Sequence, residues 1–104
     1  MAQHIGIEKM NESGETLIEC EVNFAEVINA STEKLKAGEK YRLLAYIDPY
    51  GNTYFNRLQL PDLISELLSL SSSLKSGKLA ANIEKVISFI KEIDVHQYLK
   101  FVGD

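Results

Sequence analysis

His96 is the side chain best suited to move a proton near neutral pH. It lies in the run Asp94-Val95-His96-Gln97-Tyr98. Asp48 could orient its imidazole, and the planar guanidinium of Arg57 could hold an anionic or carbonyl group. With Asn56 these residues would make a conceivable hydrolytic or ligand-binding site if the fold brought position 96 up to position 48 or 56. A histidine at a junction between elements serves equally as a cap, and that structural use stands beside the chemical one. His4 is the only other histidine and Cys20 the only cysteine, so a zinc site built on several thiolates and an intrachain disulfide are both excluded. Cys20 alternates with Ile18 and Val22, as a small buried hydrophobe would. The chain has no phosphate-cradling glycine loop, no nucleophile elbow and no acidic loop with calcium-ligand spacing. No cofactor and no metal are expected, and no residue is assigned a catalytic role.

The densest group of hydrogen-bonding and aromatic side chains is Tyr46-Ile47-Asp48-Pro49-Tyr50-Gly51-Asn52-Thr53-Tyr54-Phe55-Asn56-Arg57. Asp48 and Pro49 suit the first two positions of a type I turn, and Gly51 could take the left-handed conformation that closes a three-residue loop. The expected hairpin pairs Ile47 with Thr53, Tyr46 with Tyr54, Ala45 with Phe55 and Leu44 with Asn56. Both its faces are largely apolar, which places it centrally in a sheet. Asp48, Tyr50, Asn52, Tyr54, Asn56, Arg57 and Gln59 would then gather at one rim as candidate binding residues, with His96 as a possible eighth. Tyrosine and arginine are the types that anchor protein interfaces. The same residues are also ordinary turn chemistry, and both readings stand at this point.

The elements that must position these residues follow from periodicity. Ile5 and Ile7 alternate as a first strand, and residues 16–23 alternate as a second, half-buried one after the turn-rich Asn11–Glu15. Phe24, Val27, Ile28 and Leu35 predict a short helix around 25–35, stopped by Ala37-Gly38-Glu39. Pro61 at a first helical position opens a helix with the stripe Leu60, Leu63, Ile64, Leu67, Leu68 and Leu74. A second helix at about 79–93 buries Leu79, Ile83, Val86, Ile87, Ile90 and Ile93, and the short link makes the two an antiparallel pair. Residues after Asp94 alternate again as a last strand. The expectation is one α+β domain over residues 1–104: an antiparallel sheet of about five strands with a two-helix hairpin on one face.

The chain has 104 residues, a formal charge of −4 and no apolar run long enough to span a bilayer. Residues 1–40 carry eight acids against four bases, which supplies the whole excess. That bias argues against nucleic acid, whose phosphates need a basic patch, and would suit a basic protein. The N-terminus lacks a basic flank and an apolar core of a secretory signal, so a cytoplasmic location is expected.

The stretch from Tyr46 to Gln59, with the ending His96-Gln97-Tyr98-Leu99-Lys100-Phe101-Val102-Gly103-Asp104, resembles a family of small uncharacterised bacterial proteins. These share an Ile-Asp-Pro-Tyr-Gly hairpin running into Phe-Asn-Arg-Leu-Gln and a similar terminus. The resemblance spans about the last two-thirds of the chain; the first forty residues match loosely. It implies a bacterial cytoplasmic protein, supplies no activity, and points to Asp48, Asn56, Arg57, Gln59 and His96 as one site.

The leading functional expectation is a protein–protein interaction module, of the immunity or antitoxin type, that neutralises a protein partner through the hairpin rim. The alternative is a small-molecule binder or small enzyme using Asp48, Asn56, Arg57 and His96. A self-associating subunit forming a homodimer is a third. No membrane or nucleic-acid partner is expected.

Overall fold

Four strands form one antiparallel sheet in the spatial order β2-β1-β4-β3. A computed structural model describes residues 3–36 and 40–104. The strands are β1 (Gly6–Asn11), β2 (Thr16–Cys20), β3 (Asn52–Phe55) and β4 (Gln97–Val102). The helices are α1 (Ala25–Ala30), α2 (Thr32–Lys36), α3 (Leu60–Ser73) and α4 (Gly77–Lys91). The α+β class stands as expected, with four strands among the described residues rather than about five.

β1 and β2 form the expected hairpin. Its turn uses Gly14 at φ 84°, a conformation open to glycine. Asn11 Oδ1 accepts from the backbone of Ser13 and Glu15 and closes the loop. β2 is an edge strand with a bulge, because Lys9 pairs with Ile18 and Met10 with Thr16. Its inner face is therefore thinner than alternation implied: Val22 is buried, Cys20 partly so, and Ile18 is half-exposed.

The last strand, β4, is central. It pairs with β1 from Gly6↔Val102 to Asn11↔Gln97 and with β3 from Asn52↔Val102 to Phe55↔Leu99. Ile7, Leu99, Phe101 and Phe55 face the core. Phe101 touches Phe24 and Phe55 with tilted and edge-on geometry, at ring-centroid separations of 5.3 and 5.8 Å.

The central hairpin of the sequence reading does not form. Residues 44–46 are a single 3-10 turn, and β3 pairs with β4 alone. The reason lies in the period. Tyr41, Leu44 and Ile47 are the buried residues of this run, spaced by three, while Ala45 and Tyr46 are exposed. The Glu66 carboxylate then holds the turn from α3, accepting from Leu43 N at 3.0 Å and Leu44 N at 3.0 Å. Charge-assisted bonds to a backbone are among the stronger ones. Glu66→Ala should lower unfolding free energy by about 2 kcal/mol, read as a fall in urea midpoint at constant slope.

The helices match their periods more closely. The segment read as a helix around 25–35 is two short helices divided at Ser31, with Phe24, Val27, Ile28 and Leu35 buried. The stop assigned to Ala37-Gly38-Glu39 lies outside the described residues. α3 buries Leu60, Leu63, Leu67 and Leu70, and Leu68 turns outward. In α4 the Ser76 hydroxyl accepts from Leu79 N, so Ser76 caps the start of this helix. Ile83, Val86, Ile87, Ile90 and Ile93 are buried. α3 and α4 pack together, and α1 packs against α4. Among the described residues no helix is long and apolar enough to cross a membrane.

Candidate functional site

The eight candidate residues do not converge. β4 runs from Gln97 beside His96 to Val102 beside Gly103, and its ends are about 17 Å apart at roughly 3.3 Å per residue. The Asp48–Gly51 turn is bonded at the Gly103 end: Gly103 N donates to Gly51 O at 2.7 Å, and Asp104 N to Pro49 O at 3.0 Å. His96 is at the other end, in a turn with φ 66°, where Nδ1 lies 2.5 Å from Glu12 Oε1. Asp48 and His96 therefore do not form an acid–base pair.

Most of the polar candidates have local structural roles. Asp48 Oδ1 accepts from Tyr50 N at 2.9 Å, while Asp48 N donates to Thr53 Oγ1. This is an Asx turn. Gly51 does not take the positive φ expected of it; a side chain there would meet Asp48 Oδ2 at 2.6 Å. Asn56 and Gln59 bond reciprocally: Asn56 Oδ1 accepts from Gln59 N, and Gln59 Oε1 from Asn56 N. That pairing follows the logic of a capping box leading into α3. Asn52 opens β3 opposite Val102. Arg57 is exposed; its carbonyl accepts from Leu60 N, and its guanidinium has no hydrogen bond or ion pair among the described residues.

Two surfaces remain. The first is the helix-free face of the sheet. Since Ile7, Leu99, Phe101 and Phe55 point to the core, strand alternation sends Glu8, Met10, Tyr54, Tyr98 and Lys100 to the opposite side. Glu19 joins them through its pairing with Glu8. Tyr98 lies directly across from Met10. Lys100 Nζ sits 5.7 Å from the Tyr54 ring centroid, within cation–π range. Met10, Tyr54 and Tyr98 line a shallow hollow of about 260 Å³, with Asn11, Glu12 and Gly14 at its edge. Of the sequence candidates Tyr54 and, two residues before it in β3, Asn52 belong to this face. The signal for the others was strand alternation, which became usable once the β1–β4 register was known.

The second surface is an apolar groove of about 750 Å³ between α1–α2 and the segment from Leu44 to Tyr50. Ile28, Leu35 and Ile47 form its apolar lining, and Tyr50 and Lys36 border it. Among the described residues no group of three or more His, Cys, Asp or Glu side chains could hold a metal ion.

Compared with known protein families, curated proteins and solved structures, the chain matches none. Its function is therefore read from its own residues.

Proposed function

We propose that the protein is a protein–protein interaction module, of the immunity or antitoxin kind, which acts by occupying a partner, and that its contact surface is the helix-free sheet face. The supporting observation is the exposure of Tyr54 and Tyr98 on a sheet face that carries no helical layer among the described residues. An aromatic side chain left in water gives up favourable burial, and tyrosine joins a large apolar area to a polar tip at low entropic cost. The structural use of Asp48, Asn56 and Gln59 leaves the tyrosines as the better anchors.

Affinity capture from lysate of the source organism, read by mass spectrometry, tests this. Wild type should retain a protein that a folded Tyr54→Ser/Tyr98→Ser variant loses. Capture of the same protein by both would move the interface elsewhere, and capture by neither would remove the reading.

The second reading, a small-molecule binder, draws on the apolar groove, whose volume lies within the roughly 300–1,000 Å³ of ligand pockets. It no longer draws on Asp48 and His96 as one site. Thermal stabilisation by a member of a metabolite library, lost in Ile47→Lys, would favour it.

A further inference from the structure

The helix-free face is acidic along one side and aromatic along the other. Glu8 and Glu19 are directly opposite across β1 and β2. Facing like charges are unfavourable in a sheet unless something of opposite sign relieves them. Glu21 joins them around a hollow of about 220 Å³, lined also by His4 and Gly6. Gly6 puts no side chain over this part of the sheet.

The obvious internal counterion is not used. Lys100 pairs in register with Glu8, yet its ammonium lies over the Tyr54 ring. The ion pairs among the described residues are Lys78–Glu26 and His96–Glu12, so Glu19 and Glu21 have none. Tyr54, Tyr98 and Met10 stand on the same face, and tyrosine is enriched among interface residues that dominate affinity.

We propose that the partner is a basic protein, which seats arginine or lysine side chains against Glu8, Glu19 and Glu21 while its apolar groups cover Tyr54 and Tyr98. This rests on the interaction reading and adds the partner's chemistry to it. Complementary charge would also speed encounter. A second copy of this chain fits poorly, since an isologous contact sets the same acidic strip against itself. Nucleic acid fits poorly for the same reason of sign.

Two variants of equal net charge separate a site from general attraction: Glu19→Lys/Glu21→Lys on the face, and Glu33→Lys/Glu84→Lys on exposed helical positions. An oligoarginine peptide titrated into the labelled protein and followed by backbone amide shifts is the probe. Shifts should concentrate at positions 8, 19, 21, 54 and 98. Affinity should fall by about tenfold in the face variant and no more than about twofold in the control. Equal losses in both, or shifts spread over acids throughout the surface, would overturn the proposal. Any protein captured from lysate is then tested against the same pair. A captured partner that the face variant still holds would refute the basic-partner inference and leave the interaction reading intact. No captured protein at all would remove the interaction reading, and this inference with it.

Discussion

A chain ending at Gln97 should not fold. The seven residues removed, 98–104, are most of a strand hydrogen-bonded to β1 on one side and β3 on the other. Leu99 and Phe101 are fully buried, and Phe101 joins Phe24 to Phe55. Losing one such side chain to alanine costs about 3–5 kcal/mol in a typical core. Losing both, with the ladder bonds, matches or exceeds the whole stability of an ordinary domain, about 5–15 kcal/mol. It would also leave β1 and β3 with unpaired inner edges. Amide shift dispersion should collapse and cooperative thermal unfolding should disappear. A truncated chain that melts like the full one would contradict the central place of β4.

Gly103→Val should cost about 3 kcal/mol, and for a different reason. A Cβ at position 103 would lie 2.6 Å from Gly51 N and from the Pro49 carbonyl carbon and oxygen. Those atoms are backbone and have no rotamer by which to yield. To accept the side chain, the terminus must lift off the turn, which breaks the bonds from Gly103 N to Gly51 O and from Asp104 N to Pro49 O. The Asp104 carboxylate, which accepts from Gln3 N and His4 N, would move with it. Overpacking of this kind costs about 1–3 kcal/mol before lost hydrogen bonds are counted. Urea unfolding at unchanged slope measures it. A loss under about 0.5 kcal/mol would show that the terminus is not held against the turn.

Both results bear on how functional experiments are read. Asp-Pro-Tyr-Gly and the terminal Gly-Asp are segments of high apparent information, and they turn out to bind each other. Substituting Asp48, Gly51, Asn56 or Gln59 would perturb turns and caps, so lost partner binding there would report lost structure. Tyr54, Tyr98, Glu19 and Glu21 are exposed, and the fold asks little of them. They are the positions at which a binding defect can be interpreted.

Length, composition and periodicity by themselves determined the α+β class, the hairpin of β1 and β2, the paired helices α3 and α4, and a strand at the C-terminus. Each of these is a local pattern: Ile83, Val86, Ile87 and Ile90 state a helical face wherever that helix packs. The run Leu43-Leu44-Ala45-Tyr46-Ile47 states no such thing, because five mostly apolar residues fit a period of two or of three equally well. The choice was made by Glu66, a residue 22 positions away from Leu44, whose carboxylate needs two neighbouring N–H groups aimed at one point. A 3-10 turn can present them; a strand sends successive N–H groups to opposite edges. The candidate site followed the same division. Residue types marked out Tyr54 and Asp48 alike, but only the pairing of β1 with β4, some ninety residues apart in the chain, decided which side chains share a face. That pairing left Asp48 bonded in its own turn and His96 at the far end of the sheet. It also placed Glu8, Met10, Tyr98 and Lys100 beside Tyr54, a grouping that has no local signature because register is a property of two strands and not of either alone.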